Sequence, residues 1–116
     1  MPAPFGEVSD TELHHLQDNL GSLAESGTSV IVVTCQAVST NKKWADEIGV
    51  AVPILSDFWP HGETTRRFGV FDESTGDAQR KTFILDEYGV VFRIVHNRHD
   101  DQSRRMKDYR KALKWA

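Results

Sequence analysis

Apolar residues in this chain recur with two periods, and each change of period marks a predicted element. Leu13, Leu16, Leu20 and Leu23 follow one another at spacings of three and four with polar residues between, which predicts an amphipathic helix. Ser9-Asp10-Thr11-Glu12 has the form of a capping box, the Ser9 hydroxyl accepting from the Glu12 amide while the Glu12 side chain reaches back. Gly27 is the natural stop. Residues 28–35 are β-branched and almost continuously apolar, the pattern of a parallel strand buried on both faces. Residues 39–48 read as a short helix with Trp44 and Ile48 inward, ended by Gly49.

The pattern then shortens. Residues 52–55 predict a strand, 56–60 a loop, and 60–68 a helix with Pro60 in its first turn. Residues 70–79, rich in Asp, Glu, Ser, Thr and Gly, read as a loop. Residues 80–86 and 90–96 read as two strands of a hairpin about the turn Glu87-Tyr88-Gly89. Residues 101–115 predict a closing helix with Met106, Tyr109, Leu113 and Trp115 inward. The order α-β-α-β-α-β-β-α predicts an α/β domain with a mixed sheet and an antiparallel hairpin at one side.

Composition narrows the class. The 116 residues suffice for one ordinary domain, and 39% hydrophobic with 27% charged residues excludes collagen-like, mucin-like and wholly disordered chains. The longest apolar run is Val30-Ile31-Val32-Val33, far short of the roughly twenty residues of a membrane-spanning helix. The opening MPAPFGEVSD shows no basic region followed by an apolar block, so no signal peptide is expected. A single cysteine, Cys35, cannot make an internal disulfide framework and fits the reducing cytoplasm. The net charge of -3 conceals a basic end: from Arg93 onward there are eight Lys/Arg against three Asp/Glu. No stacking pattern or module signature accompanies these charges, so a solvated terminal helix is expected and no nucleic-acid partner.

Several local words resemble the peroxiredoxins of the AhpC/TSA superfamily, and most closely their one-cysteine, AhpE-like members. The words are Ser56-Asp57-Phe58-Trp59-Pro60-His61-Gly62, Phe68-Gly69-Val70-Phe71, Trp44-Ala45, and Arg80-Lys81-Thr82-Phe83-Ile84-Leu85-Asp86 followed by Gly89. The resemblance implies a thioredoxin-like fold and thiol-dependent reduction of peroxides, an antioxidant activity with a peroxide substrate and a thiol reductant. It implies no organic cofactor and no metal, and a homo-oligomer, such as a dimer, or pairing with a family homologue.

Two departures qualify that implication. Family members carry further strands before the active-site turn, so the chain is expected to be a partial thioredoxin-like domain over residues 1–116. By the resemblance, the absent strand lies beside residues 28–35, whose open edge then invites pairing with another chain. A short paralogue, a mis-started gene product and a protomer completed by a partner's strand stay open. The family's P-x-x-x-(T/S)-x-x-C motif here reads Pro2-Ala3-Pro4-Phe5-Gly6-Glu7-Val8-Ser9. By that alignment Ser9 stands at the peroxidatic cysteine position, Gly6 at the threonine that orients the peroxide, and Arg80 supplies the positive charge.

Serine is a far weaker acid than cysteine and has no comparable route to a sulfenic-type intermediate. The expected function is therefore that of a catalytically degenerate family member. The alternatives are a non-catalytic interaction or dimerisation subunit and a ligand-binding protein that uses Arg80.

Cys35 is a candidate substitute thiol at the carboxyl end of a parallel strand, though no helix N-terminus is expected immediately after it; the other reading is a buried structural cysteine. Adjacent on a helix, His14 and His15 diverge by about 100° and ligate a metal poorly together. His96, His99 and Asp100 form a short H-x-x-H-D, which on this irregular stretch is not expected to be a metal site. His61 is expected to pack in its loop or lie near the pocket, and Trp59 to sit in the core or at an interface.

Overall fold

A computed structural model describes residues 1–2 and 5–95; the expected closing helix over 101–115 and the His96, His99, Asp100 group lie outside the described residues. Helix α1 spans Glu7–Asp18 and α2 spans Leu20–Glu25. The single long helix expected here is broken at Asn19, whose side-chain amide donates to the His15 carbonyl at 2.9 Å and competes with the backbone ladder. Gly27 ends the second piece as expected. At φ 81 it sets a Schellman turn in which the Thr28 amide donates to Leu23 O at 3.0 Å and the Gly27 amide to Ala24 O at 3.0 Å.

Helix α1 begins earlier than the capping box predicted. Gly6 is the N-cap, the Asp10 amide closes the first turn on Gly6 O at 2.8 Å, and Ser9 already lies inside the helix. Ser9 makes no cap, because its hydroxyl and the Glu12 carboxylate are both buried and turned to a partner within the fold.

Strand β1, Val32–Thr34, pairs in parallel with β2, Ile54–Ser56. The expected strand over 28–35 is thus only three residues long, and Ile31 is 60% exposed rather than buried on both faces. Its ladder with β2 is short: Val32 N donates to Pro53 O and Asp57 N to Thr34 O, so residues 32 and 34 face β2. The intervening Val33 carbonyl takes the Met1 amino group at 2.8 Å. Helix α3, Val38–Ile48, crosses between the two strands and stops at Gly49 in the left-handed region, as the sequence predicts.

Helix α4 is Glu63–Arg67, shorter than the expected 60–68. Pro60 stays outside it, after a cis Trp59–Pro60 bond, because the N-cap Gly62 sits at φ 72 and no helix can run through that conformation. Residues 70–79, expected to be a loop, contain a small antiparallel pair, β3 Phe71–Asp72 and β4 Asp77–Ala78. The expected hairpin forms from β5, Thr82–Leu85, and β6, Val91–Val95, with a register irregularity at Ile84 and Leu85. Arg80 lies just before β5 rather than in it.

Among the described residues the pairings form three two-stranded ladders, one parallel and two antiparallel. A common core joins the parallel pair and the β5–β6 hairpin. Met1, Leu13, Leu16, Val32, Trp44, Val52 and Val95 cluster in the interior, with Ile48, Ile54 and Ile84 packed against them. The Leu stripe of α1 therefore faces both the parallel pair and the hairpin, which fixes the start of α1 against the segment that carries Arg80. No helix among the described residues is long and apolar enough to cross a membrane.

Candidate functional site

The site is built from one helical turn and one arginine. Ser9 and Glu12 are three residues apart on α1, so both project from the same face. Arg80 enters from the β4–β5 connection and spans them, Nη2 donating to Ser9 Oγ at 2.9 Å and Nη1 to Glu12 Oε2 at 3.0 Å. All three are sealed from water, with exposures of 1%, 0% and 5% respectively. A charge pair this deeply buried persists only with close geometry and satisfied hydrogen bonds, which the planar guanidinium fork supplies.

Ser9 is the third residue of α1, among the first amides that have no carbonyl partner within the helix. Position 9 therefore combines a helix N-terminus with a guanidinium donor, surroundings that favour negative charge on whatever side chain stands there. The occupant is a neutral hydroxyl, and its oxygen is used as an acceptor by Arg80.

The other candidates are less closely joined. Gly6, the N-cap, is exposed and offers no side chain; Pro2 is half-buried. Phe5, just before the cap, adopts φ 65, a left-handed conformation that costs an L-residue roughly 1–2 kcal/mol. Its ring lies 6.4 Å from that of Trp44, which is fully buried and donates from Nε1 to Asp10 Oδ1 at 2.6 Å. The turn is thus tied to the core through Trp44, a link that spacing alone did not show. Glu12 is the partner that sequence reasoning missed: its place in an apparent capping box masked the i, i+3 pairing with Ser9 that a helical wheel contains.

Cys35 is a free, buried thiol that follows β1, and its Sγ is 3.5 Å from Thr65 Oγ1. Burial pushes its pKa up, with a smaller raising effect from the Asp57 charge, against the lowering effect of the Thr65 hydrogen bond. A thiol held protonated is a poor nucleophile. The structure does not bring Cys35 into the hydrogen-bonded Ser9–Arg80–Glu12 group.

Asp57 accepts from the Thr65 hydroxyl at 2.6 Å and from the Thr65 and Thr64 amides at 2.7 and 3.2 Å. Burial alone would raise its pKa, but these hydrogen bonds outweigh it and hold the carboxyl below its ordinary range. His61 packs edge-on against Phe58 and Phe71, with Nε2 2.7 Å from Gly76 O. Trp59 is 84% exposed, so its expected place in the core is corrected: the loop is held by Asp57 and His61, and the indole projects outward. His14 and His15 are both exposed on α1.

Comparison with known proteins agrees with this architecture. A sequence model of the AhpC/TSA family matches residues 1–94. Alkyl hydroperoxide reductase E from Mycobacterium tuberculosis is 36% identical over 90 residues, covering 78% of this chain and 59% of that protein. Alkyl hydroperoxide reductase C from Staphylococcus epidermidis is 39% identical over 94 residues, covering 78% of this chain and 49% of that protein. The chain thus spans about half to three-fifths of the length of these curated relatives. The crystal structure of Enterococcus faecalis AhpC superposes with a TM-score of 0.89 at 32% identity, over 99% of this chain and 70% of that one. Matches of this extent, in sequence and in backbone alike, place the chain in the AhpC/TSA family, on the thioredoxin-like fold of the peroxiredoxins.

Proposed function

We propose that this chain is a peroxiredoxin-type protein whose peroxidatic position is occupied by Ser9, so that it retains the scaffold of peroxide reduction without its turnover. Peroxide reduction requires a thiolate to attack one peroxide oxygen. The O–O bond then breaks, the sulfur is oxidised to a sulfenic acid, and the second oxygen leaves as water or an alcohol once protonated. A thiol reductant afterwards returns the sulfenic acid to the thiol. Ser9 cannot begin this cycle, because a serine hydroxyl is not ionised near neutral pH and its oxygen has no sulfenic-type oxidation state. Gly6 provides no hydroxyl to orient a peroxide.

The observation that carries the reading is the contact of Ser9 Oγ with Arg80 Nη2 inside the first turn of α1. It supports the alignment of Ser9 with a thiolate position by the chemistry of the place rather than by sequence register. The cytoplasm suits a chain whose one cysteine is free and buried.

The test is peroxide consumption with a thiol reductant. The unaltered chain is expected to match the buffer rate. The Ser9→Cys, Gly6→Thr double variant is expected to consume at least one equivalent of peroxide and to form a sulfenic acid at position 9. Catalytic turnover by the unaltered chain, undiminished by Cys35→Ser, would refute the proposal.

A second reading, a non-catalytic interaction subunit, is favoured by the exposed Phe58 and Trp59 beside the rigidly held Asp57. It predicts a concentration-dependent sedimentation coefficient that Trp59→Ser abolishes.

A further inference from the structure

One feature of the fold is unrelated to position 9. Between residues 58 and 69 every side chain except that of Thr65 is exposed; Gly62 is buried but has none. This stretch includes all of α4, so the helix is held to the body by little apolar burial. Its inward anchor is polar: Thr65, 4% exposed, with its amide and hydroxyl both bound to the buried Asp57 carboxylate. Directly beneath Thr65 lies Cys35, 1% exposed, its sulfur against the same hydroxyl. Further ties are peripheral: Arg66 and His61 against the Phe71 ring, Arg66 paired with Glu73, His61 at Gly76 O, and the half-exposed Phe68 against Phe83.

Segments with few buried apolar contacts and solvent-exposed hydrogen bonds open at a fraction of the global unfolding free energy. From this arrangement we infer that residues 58–69 form a latch over Cys35, fastened through Thr65 to Asp57, whose own amide is bound to Thr34 O of β1; the latch opens while the rest of the domain stays folded and so governs access to the thiol. In the closed state Cys35 is shielded and kept protonated by its surroundings. In the open state it meets water as an ordinary thiol, able to exchange with a disulfide. The proposal does not depend on the peroxidatic alignment.

The test follows labelling of the whole chain by dithiobis(nitrobenzoate) at fixed pH across sub-denaturing urea. The Cys35 thiolate attacks the reagent disulfide, forms a mixed disulfide and expels one thionitrobenzoate anion, which is read by its absorbance. Because Cys35 is the one cysteine of the chain, the signal has one source. In the unaltered protein the rate is expected to stay nearly flat in urea until the global transition begins. Asp57→Asn weakens charge-assisted bonds to the latch and is expected to raise the rate about tenfold or more; Thr65→Ser, which keeps the hydroxyl, is expected to stay near the unaltered rate. A rate that climbs with the slope of global unfolding from zero urea overturns the latch, as does an Asp57→Asn variant that folds and labels no faster. Should Asp57→Asn not fold, the urea slope of the unaltered chain decides alone.

Discussion

Arg80→Met is the perturbation that bears most heavily on the site. It preserves most of the side-chain length and removes the guanidinium, leaving the fully buried Glu12 carboxylate without Nη1 and Ser9 Oγ without Nη2. Breaking one partner of a buried ion pair costs about 3–5 kcal/mol, because the charge left behind keeps its desolvation penalty. Against a typical domain stability of about 5–15 kcal/mol, that is a large fraction of the total. Urea unfolding followed by tryptophan fluorescence reads the loss; with a slope of about 1–3 kcal/mol per molar, the midpoint falls by more than ~1 M. Glu12→Leu alone should also destabilise, since it takes the carboxylate from the buried guanidinium. The pair Glu12→Leu, Arg80→Met should cost less than either single change, because both charges leave the interior together. A double variant as unstable as the two single losses added would refute the coupling and with it the reading of Ser9, Glu12 and Arg80 as one unit.

Other outcomes follow from the same geometry. Asp57, whose carboxyl is held below its unfolded value, contributes stability above the unfolded pKa of about 3.9 and loses it as pH falls through the lower folded value. Urea midpoints between pH 6 and pH 2 should accordingly drop less steeply in Asp57→Asn than in the unaltered chain. Gly62→Ala should destabilise by at least about 1 kcal/mol in the same assay, since Gly62 sits at φ 72 and a Cβ there would overlap the Phe71 ring. Leu13→Ala, at a fully buried core position, should cost about 2–5 kcal/mol, readable as a lowered thermal midpoint.

How much of this was legible in the sequence depended on whether the deciding contact was local. The Leu13, Leu16 and Leu23 positions, the glycine stops at Gly27 and Gly49, and the 82–95 hairpin are short-range patterns, and the structure shows them. The local capping rule that Ser9 and Glu12 satisfy puts the start of α1 too late, because Arg80, 71 and 68 residues further along the chain, takes both side chains into the interior. The β-branched content of residues 28–35 predicts a long strand, yet strand length is set by the partner, and β2 offers only three residues. The β3–β4 pair was missed because two-residue strands rich in Asp carry no periodicity. Family resemblance points to Arg80 as a site residue, whereas its carboxylate partner Glu12 shows only once the helix face is fixed.

Position 9 lies at a helix entrance beside a guanidinium, surroundings that favour an anion. The direct measurement is the thiol pKa of Ser9→Cys in a Cys35→Ser background, followed by thiolate absorbance or by the pH dependence of alkylation. The arrangement of α1 and Arg80 predicts a pKa below the ordinary value of about 8.5 by a unit or more, with Arg80→Met returning it toward that value. A thiol at position 9 that titrates at or above about 8.5, unmoved by Arg80→Met, would contradict the assignment.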